Sequence, residues 1–410
     1  MEVGIDAINA YVGKAFLDVR TLFQARGLDL ERFPNLQMYR KAVGLPCEDP
    51  VTNAVNAAKP IIDALSSEQK DRIELVIAAT ESALDFGKSL STYIHDYLGL
   101  SRNCRLFEVK QACYGGTAAL QMASSYVQAS PYPGTRALVI ATDTARAAAK
   151  GTYAEPSQGV GAVAMLVSQD PEVMVLDFGA NGLYGYEVMD TCRPTAEIET
   201  GDPDISLLSY LDCLENSFIN YQSKVEGADF LTTFDYLAFH TPFAGMVIGA
   251  HRKMMRKYGK LPIKEIELDF KKRVHPSLQY CVQVGNVYSA TLYLALCGLI
   301  DSGEFSEGKR VGLFSYGSGC SSEFYSGVLS QRSKQKLQSM SLNRAIEDRC
   351  ELNMAQYDDI VNQNMEWMFG VQDKKVDLAN FSPVYSKYYE GKGLLRLSEV
   401  KNYHRIYTWS

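Results

Sequence analysis

The chain has 410 residues, 46% hydrophobic and 22% charged, enough to bury a sizeable core in a globular protein. A net charge of −7 argues against nonspecific nucleic-acid binding, which needs a broad basic surface. There is no apolar run long enough to span a membrane, and nine cysteines without CxxC pairs or metal-ligand spacing read as reduced thiols of a cytoplasmic protein with no metal.

Residues 3–9 read as a first strand, followed by a helix through Leu17 to Arg26. Residues 34–53, with Pro34, Pro46 and Pro50, read as an irregular connection ahead of a helix from about Thr52 to Leu65. Ile73–Ala79 is a short β-rich apolar run of the kind buried at the centre of a sheet. Glu81 stands just past its end, ahead of a helix around Leu90 to Leu98. A carboxylate there is either functional or a helix-start charge facing the dipole.

A second strand-like run begins at Phe107 and ends at Cys113. Gly115 and Gly116 follow, then a segment of Ala, Leu and Met that is apolar nearly all round, as a helix in the middle of a large domain is. The unpaired N–H groups and positive dipole end of such a helix favour a thiolate, and the glycines permit close approach of backbone or substrate. Cys113 therefore reads as a nucleophile or as one of several inert core thiols.

Arg136–Asp143 is another buried strand ending in an acid, 145–158 a loop of small residues, and 159–167 a further strand. Alternating strands and helices give an α/β fold. Neither a dinucleotide fingerprint nor a P-loop is present. Residues 181–205 read as a polar loop covering a site, followed by a helix from about Leu207 to Tyr221.

Residues 234–240 form a strand that delivers His240, one of five histidines, with Pro242 setting a turn. On the next helix Arg252 and Arg256 share one face, as do Lys253 and Lys257. This densest basic stretch holds phosphates or an acidic protein, or is a solvated face. Asn286, ahead of the apolar helix 289–300, caps that helix or offers its amide to a water or carbonyl. The strand from Arg310 runs into Gly317-Ser318-Gly319, whose backbone N–H groups suit an oxyanion hole. Residues 335–410 read as a polar helix and a Tyr-rich tail. The chain divides near residue 170: 1–170 with the cysteine and glutamate, 171–410 with the histidine, asparagine and Gly/Ser turn.

Five stretches in order, Ala79-Thr-Glu-Ser, Ala112-Cys-Tyr-Gly-Gly-Thr, Phe239-His-Thr-Pro, Val284-Gly-Asn-Val-Tyr and Phe314-Ser-Tyr-Gly-Ser-Gly, resemble the 3-hydroxy-3-methylglutaryl-CoA synthase family of the thiolase superfamily. The resemblance implies a five-layered αβαβα fold of two similar halves, working as a homodimer. It implies Cys113 as acylated nucleophile, Glu81 as general acid/base and His240 as the group that holds and polarises the acceptor. Asn286, Gly115, Gly317 and Ser318 would line the site, with Tyr153 in an acyl-pocket role.

Leu84-Asp-Phe-Gly-Lys-Ser, Tyr184–Pro194 and Gly249-Ala-His-Arg-Lys are similar to the branch of polyketide β-branching cassettes. That branch takes acyl groups on the phosphopantetheine of donor and acceptor acyl carrier proteins, with no bound cofactor, and the 252–257 basic face would meet an acidic carrier. A mevalonate-type synthase using acetyl-CoA and acetoacetyl-CoA is the alternative. Glu81 argues against a decarboxylating ketosynthase, and the intact trio against a non-catalytic carrier-binding protein.

Overall fold

A computed structural model of the chain describes residues 2–145, 149–195, 198–367 and 370–410. Nine strands form one connected array: β1 (Gly4–Tyr11), β2 (Ile73–Ala79), β3 (Arg105–Val109), β4 (Arg136–Asp143), β5 (Gly161–Ser168), β6 (Met174–Gly185), β7 (Tyr236–Phe239), β8 (Lys309–Gly317) and β9 (Ser321–Leu329). Their order is β7-β8-β9-β6-β1-β5-β4-β2-β3.

The array contains an internal repeat. In the first half β1 pairs antiparallel with β5, β5 antiparallel with β4, and β4 parallel with β2. In the second half β6, β9, β8 and β7 follow with the same orientations. The halves meet where β1 pairs with β6 through only two residue pairs.

Alternation of side chains across each strand then builds the layers. Val76, Ala78, Leu138 and Ile140 point to an outer layer with α1 (Pro50–Asp63) and α2 (Leu90–Tyr97). Their neighbours Leu75, Ile77, Ala79 and Val139 share a core with Val311 and Leu313 of the second half. That core holds α3 (Gly115–Ala129) and α6 (Thr291–Ser302). Leu237, Phe239, Phe314 and Phe324 face the other outer layer, α4 (Pro203–Lys224) and α5 (Ala244–Gly259). The result is a five-layered αβαβα fold of two similar halves.

Every residue of α6 from Thr291 to Ile300 is buried, which is why that run is apolar on all sides. Among the described residues no helix is long and apolar enough to cross a membrane.

The expected helix from Leu17 begins only at Val19, because Ala15–Asp18 is a strand whose last residue accepts the Thr21 N–H as a cap. The irregular connection 34–53 contains the strand Arg40–Val43, paired with Ala15–Asp18. Residues 181–185, expected as loop, extend β6. The tail, counted with the second half in a division near residue 170, packs on the first. Cys350 and Glu351 pair with Ala15 and Phe16, and Leu395, Leu397 and Tyr407 join the core around α1.

Candidate active site

The parallel strands β2, β3, β4, β7 and β8 all point their C-terminal ends at one region, where open α/β sheets collect functional groups. Ala79 lies level with Val109 and Ala141, so Glu81, the Cys113 turn and Asp143 emerge side by side. On the second half Phe239 lies level with Phe314, which places His240 just beyond the sheet edge and three residues of β8 before the 317–319 turn.

Cys113 is presented by a tight turn. Ala112 has φ 44°, a left-handed conformation uncommon for a residue with a side chain. The Tyr114 and Gly115 N–H groups close the turn on the Gln111 and Ala112 carbonyls. The Cys113 thiol donates to Oε1 of Glu81 at 3.3 Å. Burial, and after it the Glu81 carboxylate, pushes the thiol well above its ordinary range. The expectation of a thiolate held by the helix dipole is thus corrected: Cys113 precedes the cap residue of α3, and desolvation with a neighbouring anion outweighs the dipole. What the geometry offers is a thiol with a base already in contact.

The close approach falls on Gly116 rather than Gly115. A Cβ at Gly116 would stand 2.3 Å from the Ser289 carbonyl oxygen, whereas one at Gly115 would meet nothing nearer than 3.6 Å. Gly317 packs directly on the nucleophile turn, since a Cβ there would lie 2.5 Å from Gln111 O and 2.6 Å from Tyr114 N. Gln111 Nε2 also donates to Ser318 O at 3.4 Å. Of the N–H groups expected to form an oxyanion hole, that of Gly319 is taken by Asp190 Oδ1 at 2.9 Å and that of Cys320 by Tyr186 O at 2.7 Å. Among the described residues, the N–H groups of Ser318 and Cys113 donate to no protein acceptor.

Asn286 is not the cap of α6, whose cap residue is Ala290, without a side-chain cap. Its Oδ1 accepts from Tyr288 N at 2.9 Å and Thr291 Oγ1 at 2.8 Å, which leaves the amide NH2 as its remaining donor. Its main chain pairs with the first half, donating to Ser157 O at 2.7 Å and accepting from Gly159 N at 2.9 Å.

His240 is 2% exposed. Its main chain is fixed by Phe314 O and the Tyr210 hydroxyl, while its Nδ1 meets no hydrogen-bond partner among the described residues. Burial lowers its pKa to about 3, so the ring is a neutral imidazole. The unfolded chain takes up this proton near pH 6.5, whereas the folded chain takes it up only near pH 3. Stability therefore falls as pH drops from about 6.5 towards 3. His240→Asn should flatten that part of the pH dependence of the melting temperature, and an unchanged slope would contradict the depressed value.

Asp143, at the end of β4, ties the two halves together. Its Oδ1 accepts from Thr80 Oγ1, Glu81 N and Ser82 Oγ, and its Oδ2 from Ser289 N and Oγ. Burial, followed by the charge of Glu81, pushes Asp143 up to about 7 in spite of these donors. The strand-end acid was visible in the sequence; its partner Ser289 was not.

A further contact, with Arg193, had no signal beyond the reading of 181–205 as a covering loop. Its Nη2 lies 2.9 Å from Glu81 Oε2, and a cavity of about 810 Å³ opens beside both residues. Within the expected loops, residues 146–148 and 196–197 lie outside the described residues.

Two expectations move away from this region. Tyr153 is 56% exposed, with the Arg32 guanidinium 5.3 Å from its ring centre, and is not among the residues lining the cavity beside Glu81. Lys253 and Lys257 both pair with Glu215 of α4, Lys253 at 2.9 Å, and so have an internal partner. Arg252 is half-buried and Arg256 exposed. Among the described residues no cluster of three or more His, Cys, Asp and Glu could hold a metal.

A five-layered αβαβα fold with a cysteine at the start of its central helix defines a thiolase-like condensing enzyme. The family models described as hydroxymethylglutaryl-coenzyme A synthase N terminal and C terminal match residues 1–172 and 257–408. The chain belongs to the hydroxymethylglutaryl-coenzyme A synthase family. It is 52% identical to the polyketide biosynthesis 3-hydroxy-3-methylglutaryl-ACP synthase PksG of Bacillus subtilis, covering 100% of this chain and 99% of that one. Against a hydroxymethylglutaryl-CoA synthase of Enterococcus faecalis identity is 33%, over 89% and 93% of the two chains. The curacin biosynthetic pathway HMG synthase superimposes with a TM-score of 0.97 and 54% identity in its complex with apo donor-ACP. In its complex with acetyl donor-ACP the values are 0.96 and 52%, and each comparison covers the whole of both chains.

Proposed function

We propose that the chain is a 3-hydroxy-3-methylglutaryl-acyl carrier protein synthase of polyketide β-branching. The single observation carrying the chemistry is the Cys113 thiol in contact with Glu81 Oε1 at 3.3 Å. The choice of carrier protein over coenzyme A is supported by whole-length identity above 50% to PksG and to a synthase crystallised with donor-ACP.

The thiol passes its proton to Glu81, the sulfur attacks the acetyl thioester of a donor carrier, and Glu81 returns the proton to the departing phosphopantetheine sulfur, which leaves as a thiol and restores the carboxylate. Acetyl-Cys113 then loses a methyl proton to Glu81 Oε1, and the enolate oxygen is stabilised by the Cys113 and Ser318 N–H groups. The carbanion attacks the β-ketone of an acetoacetyl or longer β-ketoacyl group on an acceptor carrier. Neutral His240 donates a hydrogen bond to the developing alkoxide, with the Asn286 amide as a second donor to the acceptor, and the proton that Glu81 took from the methyl group ends on the alkoxide oxygen as the 3-hydroxyl. Water cleaves the thioester to Cys113, which leaves the branched product on the acceptor.

Substrates arrive on phosphopantetheine, so the protein needs no resident cofactor. Arg252 and Arg256, with no internal carboxylate partner among the described residues, are the carrier-facing cations. Lys253 and Lys257 would join them only by releasing Glu215. A reducing cytoplasm suits the nine free cysteines. The open edge of β3 carries half-buried Leu106 and Phe107, and Met122 of α3 is 49% exposed. An antiparallel pairing of two β3 edges about a twofold axis would cover that edge in a homodimer.

Intact-mass measurement after mixing with acetylated carrier protein or with acetyl-CoA tests the assignment. Rapid gain of one acetyl group from the carrier, absent in Cys113→Ser, is the expected result. Equally fast gain from acetyl-CoA would move the enzyme to the coenzyme A-dependent branch.

A further inference from the structure

Arg193 reaches Glu81 from the loop after β6, 112 residues away in the chain. Besides the ion pair to Oε2, its Nη1 donates to the Glu81 main-chain oxygen at 3.1 Å, and its Nε to Glu199 Oε2 at 3.3 Å. The guanidinium lies 5.1 Å from the centre of the Tyr288 ring. Arg193 and Glu81 are only 14% and 15% exposed as side chains, so water screens this pair poorly. The two carboxylate oxygens of Glu81 thus face different ways: Oε1 meets the Cys113 sulfur, and Oε2 is held by Arg193.

The charges around Glu81 sharpen the point. Cys113 faces it from the turn before α3, Asp143 from the end of β4, Arg193 and Glu199 from the loop after β6, and Tyr288 from the turn before α6. Three carboxylates share this site, and Arg193 is the one cation among them in the described residues. Burial raises Glu199, and burial with Glu81 raises Asp143.

We propose that Arg193 is the positioning residue of the general base, fixing Oε2 so that Oε1 alone meets the sulfur and then the acetyl methyl group. This rests on the function proposed above. In the step concerned, a methyl C–H bond of acetyl-Cys113 breaks and an O–H bond forms at Glu81 Oε1. The electron pair moves through the carbon–carbon bond onto the thioester oxygen, and Arg193 exchanges no proton.

The test uses the full chain with Arg193→Met and Arg193→Lys, each loaded from acetylated carrier protein. Acetylation of Cys113 is read by intact mass, and deprotonation by exchange of the acetyl methyl protons in D2O across a pH series. Arg193→Met should still acetylate but exchange about 100-fold more slowly. Arg193→Lys should recover at least about tenfold of the exchange, which a purely structural defect would not allow. A wild-type rate of exchange in Arg193→Met would overturn the proposal. So would parallel loss of acetylation and exchange in both variants, which would make the residue structural. A wild-type chain that accepts no acetyl group would instead overturn the underlying function, and this role with it.

Discussion

Glu81→Gln should lower formation of the branched product about 10³-fold while acetyl-Cys113 still accumulates. Loss of the carboxylate affects the two half-reactions differently. For acetylation it removes a base, but it also removes the neighbouring negative charge that helps to hold the Cys113 thiol up, and these effects oppose each other. The methyl carbon of an acetyl thioester is a far weaker acid than a thiol, and among the described residues no second base is in contact with Cys113. Intact mass would report the acetyl-enzyme and a product assay the condensation. Product formation within tenfold of wild type would remove Glu81 as the carbon base.

Asp143→Ala should be the most destabilising single change near the site. It strips the acceptor from five donors in a fully buried position, two of them on Ser289 of the opposite half. Leaving buried donors unpaired costs about 1–3 kcal/mol each before relaxation. A net loss of about 3 kcal/mol is expected after the Thr80, Ser82 and Ser289 hydroxyls find other partners. Thermal unfolding should show a lower midpoint, and a wild-type midpoint would show that Asp143 does not join the halves.

Asp143→Asn separates the charge from the hydrogen bonds. The folded chain keeps the Asp143 proton up to about pH 7, whereas the unfolded chain releases it near pH 4. Between those values the folded state binds more protons, so Asp143 lowers stability as pH rises through that window. The asparagine variant should lose this slope.

Much of the site was legible because buried parallel strands are short apolar runs and their C-terminal ends are where the chain can leave a reactive side chain. Ile73–Ala79, Arg136–Asp143 and Tyr236–Phe239 are such runs, and Glu81, Asp143 and His240 follow from them. The strand Met174–Gly185 is not legible in the sequence, and its last residues read there as loop, since its exposed and buried positions do not alternate throughout and it carries three glycines. Ser321–Leu329 is nearly all buried yet rich in serine and glutamate. It is stable because Tyr114 and Asn181 satisfy Glu323, while the Tyr184 carbonyl accepts from Ser322 and Tyr221 meets Ser326. Such polar burial depends on partners far along the chain, which no local pattern reveals.

The sequence by itself determined the α/β class, the order of the reactive residues and the apolar character of the two central helices. Each follows from local periodicity and composition. Only the tertiary structure decided how charge is distributed. It held Cys113 as a thiol, made His240 neutral, paired Lys253 and Lys257 with Glu215 and brought Arg193 to Glu81. The physical reason is that desolvation and Coulomb energy depend on distance and burial, and residues remote in sequence set both.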